Sequence, residues 1–281
     1  MFAVAIIAVS TFLQEVSDSL GKGAVRRHLT TAYGLAFLGQ FWSTVFLIGT
    51  MALGAEFVFS VESLPTFLLR LGLAVGTALV GAMAVITADR STVGFLRSLT
   101  IPMLLGVDIF LGYAMSGWQI AGVFLMFVGL AWGFRGNPRS KNGAKLVLMS
   151  AVLGVITASL YKWNITHYNS VVGEQVVLHG CLLLLFFVLT TRQSGLPLHM
   201  LVKPWTGSQS MANGLSSTVE SFAYVYAPAS VIIALKRSFA LFWSVMFGKR
   251  YFGEQRIRQK AAAGVVVVAG LALLALPYLQ L

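Results

Sequence analysis

Charged residues are scarce in this 281-residue chain. Only 10% of its residues are Asp, Glu, Lys or Arg, whereas soluble domains carry roughly 25%. The chain therefore lacks the polar surface that a water-soluble globule of this size needs. Its single cysteine, Cys181, excludes a disulfide within the chain, and no Cys/His spacing suits a metal. We expect neither a metal nor another cofactor.

Motifs of intramembrane enzymes are also missing. The sequence has no His-Glu-x-x-His, no Gly-x-Ser-x-Gly and no paired aspartates on facing apolar helices. No large loop between the apolar stretches suggests a receptor. Catalytic residues are therefore not predicted.

Long apolar stretches are abundant, and 57% of the residues are hydrophobic. About 20 apolar residues are needed to cross roughly 30 Å of hydrocarbon. Ten stretches of about that length can be drawn, at 2–20, 31–54, 64–87, 91–110, 116–134, 146–165, 173–191, 206–226, 228–248 and 260–278. The first has no basic leader region and no small-residue cleavage site, so we expect it to be a true span. The fold predicted is an all-α membrane protein with ten transmembrane helices.

Basic residues alternate between the links that join these stretches. Of 20 Lys and Arg residues, 15 follow the odd-numbered stretches, whereas the even links are neutral or carry Glu56, Glu62 and Glu174. Basic residues collect in cytoplasmic loops, so this pattern places the odd links in the cytoplasm and both termini outside. The net charge of +11 thus reflects topology, and a nucleic-acid partner is not needed to explain it.

The two halves of the chain echo each other. Phe110-Leu111-Gly112 and Gly129-Leu130-Ala131 recur 141 positions later as Tyr251-Phe252-Gly253 and Gly270-Leu271-Ala272, and Arg97-Ser98 recurs as Arg237-Ser238, 140 positions later. Residues 1–135 and 136–281 each hold five predicted spans. An odd number of spans forces the second half to insert upside down, which predicts two inverted five-helix repeats around a central cavity.

The closing segments carry a family resemblance. Leu235-Lys236-Arg237-Ser238, Phe242 to Gly248, Tyr251-Phe252-Gly253-Glu254 and the glycine-punctuated last span resemble the closing helix pair of the ten-span, EamA-type branch of the drug/metabolite transporter superfamily. In the first half, Phe110-Leu111-Gly112-Tyr113 takes the equivalent place, with Tyr113 where that family has an acidic residue. The charge pattern also departs from the family, because many members keep both termini in the cytoplasm.

The resemblance implies a secondary transporter, an exporter or exchanger of a small polar metabolite that works by alternating access. The expected partners are a small-molecule substrate and the lipid bilayer, with the chain a monomer or weak homodimer in a bacterial or archaeal cytoplasmic membrane. A carrier for a phosphate-bearing lipid or a nucleotide-sugar-like anion is the alternative.

Glu15 and Asp18 are three residues apart and therefore share one face of the first helix. Two partly desolvated carboxylates this close are suited to exchanging a proton for substrate. Both are predicted to act in proton coupling. The alternative is that they are solvated at the end of the helix and offset by Lys22.

Lys236 and Arg237 lie within the ninth span and cannot easily reach either surface. They are predicted to contact an anionic or zwitterionic substrate, together with Arg97, the repeat counterpart of Arg237. The alternative for Lys236 or Arg237 is an internal salt bridge with Glu220.

The eighth span is too polar to face lipid. Eight polar residues fall within thirteen positions: Ser208, Gln209, Ser210, Asn213, Ser216, Ser217, Thr218 and Glu220. The span is predicted to line the central cavity, with Asn213, Ser217 and Glu220 contacting substrate. Its serines also suit close helix packing.

Overall fold

The computed structural model describes residues 2–103, 116–134, 143–226 and 229–279. Within these ranges the chain is helical and contains no strand. The helices are α1 (Phe2–Arg26), α2 (Ala32–Ala52), α3 (Leu64–Thr87), α4 (Arg90–Arg97), α5 (Gly117–Phe134), α6 (Ala144–His167), α7 (Val171–Ser194), α8 (His199–Val202), α9 (Pro204–Tyr226), α10 (Ala229–Phe252) and α11 (Ile257–Leu279). A short 3-10 turn, Val61–Ser63, precedes α3.

Four helical segments are long and apolar enough to cross a membrane by length and composition. They are Ala32–Ala52, Val61–Thr87, Ala144–His167 and Val171–Ser194. All four were predicted as spans. The other long helices coincide with predicted spans as well. Helix α5 is equally apolar but slightly shorter, whereas α1, α9, α10 and α11 carry more polar and charged residues.

The fourth predicted span differs from its prediction. The helix expected over 91–110 ends at Arg97, and a turn at Ser98 and Leu99 separates it from a further helical turn at 100–103. Residues 104–115, which include Phe110, Gly112 and Tyr113, lie outside the described residues. Hydropathy did not reveal this break because the flanking residues are apolar. Pro102, just beyond it, has no backbone N–H to donate to the Ser98 carbonyl.

Local sequence sets several helix boundaries. The Thr31 hydroxyl accepts a hydrogen bond from the Gly34 amide at the start of α2, and Ser170 does the same for Gly173 at the start of α7. Helix α7 ends at Gly195, whose φ of 82° favours glycine. These caps fix where the apolar segments begin and end.

Helices from the two predicted halves pack against each other, and several contacts of a helix in one half are matched by contacts of its counterpart in the other half. In chain order α1, α2, α3, α4 and α5 correspond to α6, α7, α9, α10 and α11. Helix α1 packs on α9, and its counterpart α6 packs on α3. Helix α1 also packs on α10, and α6 on α4. The remaining large contacts join α2 to α7, α4 to α10 and α5 to α11, each a helix with its own counterpart, and also α2 to α9 and α10 to α11, which do not follow this pattern.

The outer faces of the helices are apolar. Phe124 on α5, Leu184 on α7 and Val265 on α11 are each about 70% exposed. Exposed apolar surface on this scale marks contact with a membrane or another protein.

The contact between α5 and α11 depends on glycine. A Cβ at Gly270 would lie 2.7 Å from the Gly122 carbonyl oxygen and 3.0 Å from the Met126 backbone nitrogen. Neither backbone atom can move away without separating the helices, so only glycine allows them to approach this closely.

We expect Gly270→Ala to lower the melting temperature of the detergent-solubilised protein, because overpacking costs about 1–3 kcal/mol. Gly180→Ala is the matched control, since a Cβ there meets nothing within 4 Å. Alanine should leave stability unchanged or raise it at that helical site. Equal melting temperatures for the two variants would contradict the close packing of α5 and α11.

Candidate functional site

A cavity of about 350 Å³ lies among α1, α3, α4, α6, α7, α9 and α10. Its volume is at the lower end of the range of small-molecule sites, about 300–1,000 Å³. Five cationic side chains line it: Arg70, Arg90, Arg97, Lys236 and Arg237. Three carboxylates, those of Glu15, Asp18 and Glu220, also line it.

The Arg90 cluster closes one end of this cavity. Arg90 Nε and Nη2 donate to the two carboxylate oxygens of Glu15, each at 2.8 Å, and Nη2 also contacts Asp18 Oδ2 at 3.0 Å. The guanidinium is 1% exposed and Glu15 is 4% exposed. The bidentate geometry is the strongest form of an arginine–carboxylate pair. It joins α1 to the start of α4.

Glu254 holds the backbone beneath Arg90. Its carboxylate accepts hydrogen bonds from the backbone amides of Arg90 at 2.7 Å and Ser91 at 3.3 Å, and from Lys260 Nζ at 2.8 Å. The Ser91 hydroxyl donates to it as well. A carboxylate here satisfies amides that the first turn of α4 leaves unpaired. Burial alone would raise the pKa of Glu254, but the hydrogen bonds from Lys260 and Ser91 hold that pKa below its usual value.

The alternative interpretation supposed that Lys22 neutralises Glu15, but Lys22 does not pair with it. Its ammonium group donates to the Ala88 carbonyl oxygen in the turn between α3 and α4. Glu15 is buried and paired with Arg90, which the sequence had placed in a cytoplasmic link. The carboxylates of α1 are therefore internal, and the solvated alternative is wrong for Glu15.

The Arg70 cluster lies toward the opposite end. Arg70 Nη1 is 2.6 Å from Glu174 Oε1, and Nη2 donates to Gln175 Oε1 at 3.0 Å. Glu174 is 0% exposed and also accepts hydrogen bonds from the side-chain amides of Asn164 and Asn169. Arg70 is near the start of α3 and Arg90 just past its end. The 17 residues that follow Arg70 in α3 span about 26 Å, so the two clusters lie far apart along this helix.

Sequence reasoning missed this second cluster. Arg70 was not singled out, and Glu174 was counted among the acidic links. The signal was present, because Arg70 is a charge six residues inside an apolar span, where an isolated charge is costly. Its partner Glu174 lies 104 positions away and could not be inferred from spacing.

The predicted substrate residues come together between the two clusters. Lys236 Nζ is 2.5 Å from Glu220 Oε1, as the salt-bridge alternative anticipated. Arg237 Nε donates to Thr100 Oγ1 at 2.9 Å, and among the described residues no carboxylate lies within 4.0 Å of it. Arg97 reaches Asp18 at 3.5 Å, a carboxylate that it shares with Arg90. The cations Arg97 and Arg237 are thus the least neutralised of the five.

Helix α9 lines the cavity with only part of its polar face. Ser217, Glu220, Ser221 and Tyr224 border the cavity. Other polar residues of α9 bind the neighbouring helices: Ser216 bonds to Ser10 on α1, and Ser210 and Asn213 donate to backbone carbonyls of α2. Asn213 borders a second cavity of about 290 Å³ that adjoins the first. The polar eighth predicted span, α9, therefore lines a cavity with some of its polar residues and packs against neighbouring helices with others.

His179 on α7 also borders the main cavity, and its Nδ1 lies 2.5 Å from Gln40 Oε1. This hydrogen bond joins α7 to α2.

Comparison with known proteins establishes the fold but no family. A crystal structure of another protein covers 99% of this chain and 99% of its own, with a TM-score of 0.65 and 15% sequence identity. At that identity the likeness concerns the fold alone. No protein-family model and no curated protein matches the chain.

The Arg70 cluster makes a stability prediction. We expect Glu174→Gln and Arg70→Met each to lower the melting temperature on the order of 10 °C, because each leaves a buried charge or polar partner uncompensated. The double variant Arg70→Met/Glu174→Met should recover part of this loss, since it removes both charges. Thermal unfolding of the purified protein in detergent measures all three.

Glu62→Gln is the control, because Glu62 is an exposed acid just before α3 and its loss should change little. Additive losses in the double variant would contradict a direct pair between Arg70 and Glu174.

Proposed function

We propose that this chain is a secondary transporter that moves a small polar metabolite across a membrane by alternating access. The observation that carries the proposal is the charged cavity of about 350 Å³, bounded toward each end by a buried arginine–carboxylate cluster. A site that must open alternately to two sides needs one closure for each side. We further propose that the chain belongs to the EamA-type branch of the drug/metabolite transporters.

The proposal includes ten membrane spans. Four helices are apolar enough to qualify on composition alone. Helix α5 is apolar but slightly shorter. The others carry charged residues that face the cavity or the clusters, as Glu15 and Arg237 do, and this lowers their hydropathy without exposing charge to lipid. The alternating basic links support the same count. The proposed location is the cytoplasmic membrane of a bacterium or archaeon.

Two inverted repeats are also part of the proposal. Exchanging the halves maps the contact of α1 with α9 onto that of α6 with α3, and the contact of α1 with α10 onto that of α6 with α4. A two-fold relation between five-helix halves would produce this pattern. Transporters built from such repeats hold substrate where the halves meet, and one half rocks against the other.

The clusters suggest how the cavity closes. The Arg90 cluster joins α1 to α4, and Glu254 joins both to the turn between α10 and α11. The Arg70 cluster joins α3 to α7 and to the end of α6. In the proposed cycle one cluster separates while the other holds, so the cavity opens to one side at a time.

The substrate contacts proposed are Arg97, Lys236, Arg237, Ser217 and Glu220. Asn213, predicted together with them, borders the adjoining cavity but is hydrogen-bonded to Gly39 and Gln14, so it is not proposed as a contact. Carrying a phosphate-bearing anion is the alternative, favoured by Arg237, which lacks a carboxylate partner among the described residues. A volume of about 350 Å³ suits a small solute better than a nucleotide sugar.

In the proposed cycle, proton coupling acts through the Arg90 cluster. Protonation of Glu15 would remove the charge that Arg90 binds bidentately and would weaken the link between α1 and α4. Release of this closure by a proton would couple export or exchange of the substrate to the proton gradient.

The test is transport by the purified protein in liposomes, with alanine, succinate, glucose 6-phosphate and choline as probes. We expect at least one of these classes to accumulate above protein-free liposomes when a pH gradient is imposed. Glu15→Gln should lose accumulation driven by the gradient but keep exchange of labelled for unlabelled solute. Its control, Glu62→Gln, should retain both activities.

Failure of every probe class to move would contradict transport. Normal gradient-driven accumulation by Glu15→Gln would leave transport standing and rule out proton coupling through this residue.

A further inference from the structure

The second cavity, of about 290 Å³, differs in chemistry from the first. It lies among α1, α2, α3 and α9, and four side-chain amides line it: Gln14, Gln40, Gln209 and Asn213. Among the described residues, its charged lining residues are Asp18 and Arg97 alone, and both also line the first cavity. The two cavities share Gln14, Asp18, Thr77, Gly81 and Arg97, so they adjoin at the Asp18–Arg97 contact. One compartment is rich in charge, and the other is rich in uncharged hydrogen-bonding groups.

Two of the four amides, Gln14 and Asn213, are largely engaged by the protein. Gln14 Nε2 donates to Asp18 and Asn213, and Gln14 Oε1 accepts from Ser216. Asn213 Nδ2 donates to the Gly39 carbonyl oxygen. These bonds fix the wall that α1, α2 and α9 form, and they leave Gln14 and Asn213 with little capacity for a ligand.

Gln209 and Gln40 retain free hydrogen-bonding capacity. Gln209 is 6% exposed; its Nε2 donates to Ser17, but its Oε1 has no hydrogen-bond partner among the described residues. A buried carbonyl oxygen left without a donor costs about 1–3 kcal/mol. Gln40 Oε1 is engaged by His179, whereas its Nε2 has no partner in the described part of the chain. These two side chains, one on α9 and one on α2, line the same cavity.

The geometry points to a second compartment of the substrate site that binds an uncharged, hydrogen-bonding part of the transported solute. Gln209 Oε1, which has almost no accessible surface in this conformation, accepts from the solute once its side chain rotates toward the cavity. Gln40 Nε2 donates to the solute, as an amide or a pair of hydroxyl groups requires. The charged group of the same solute lies in the first cavity, beside Arg97. The inference rests on the proposed function and narrows its substrate to a molecule with a charged end and a polar, uncharged end.

This compartment also excludes some substrates. An apolar extension would leave Gln209 Oε1 buried without a donor. A site built to hydrogen-bond its ligand rejects analogues that lack the polar group for this reason. A solute with a second full charge at that end would meet no countercharge beyond Asp18 and Arg97, which already contact each other.

Matched solutes test the compartment directly. We would measure binding to the purified protein by thermal shift for two pairs, L-glutamine with L-norleucine and glycerol 3-phosphate with propyl phosphate. Members of a pair share a charged end and differ in whether the other end forms hydrogen bonds. We expect the hydrogen-bonding member of at least one pair to bind about fivefold to tenfold more tightly than its partner.

Gln209→Leu should remove this preference by weakening binding of the hydrogen-bonding member, with the apolar member bound as tightly or more tightly. Gln193→Leu is the control, because Gln193 is exposed at the end of α7, and it should keep the preference. If Gln209→Leu does not fold, Gln40→Ala, which removes the donor on the opposite helix, should reduce the preference in its place.

Equal binding of the two members of both pairs, or no binding by any of the four solutes, would overturn the inference. So would a preference that survives in both variants. Transport distinguishes this failure from failure of the proposed function. Accumulation of a solute without an uncharged polar end would leave the transporter standing, whereas a Gln209-dependent preference without any transport would leave only the binding site.

Discussion

Burial of charge in a low-dielectric interior is tolerated only where an opposite charge or several hydrogen bonds compensate it. The internal organisation of this chain follows from that constraint. Arg90 and Arg70 are almost completely buried, and each is held by a carboxylate from another helix. These contacts join segments 75 and 104 residues apart. The ion pairs therefore fix which helices meet at each end of the cavity, a choice that apolar packing alone would leave loosely specified.

The same clusters link structure to movement. Such a pair contributes modest net stability, but separating it exposes two uncompensated charges unless water or a ligand replaces the partner. A closure of this kind has two well-defined states, apart and together. Glu254 extends the Arg90 cluster to the turn before α11, so opening there would involve α1, α4 and the last helix pair together. The Arg70 cluster involves α3, α6 and α7 instead.

Most helices could be predicted because hydropathy and helix length are local properties of the sequence. The break at Ser98 and Leu99 could not, since hydropathy reports how apolar a stretch is and not where its helix is interrupted. The expected cavity residues Glu15, Asp18, Lys236 and Arg237 do border one cavity, because charges within apolar spans have few other places to go. The ion-pair partners of these residues could not all be predicted. Arg90 looked like a loop residue, and only tertiary packing brings it to Glu15.

Accessibility of the cavity from each side of the membrane tests the central claim most directly. In a Cys181→Ala background, Ser217→Cys places one thiol at the cavity, and an impermeant maleimide is applied to vesicles of either orientation. Glu174→Gln should increase labelling from the side where α3 begins, and Glu15→Gln from the opposite side, with Glu62→Gln unchanged. Labelling from one side only, at the same rate in all of these variants, would contradict a cavity closed at each end by a buried ion pair.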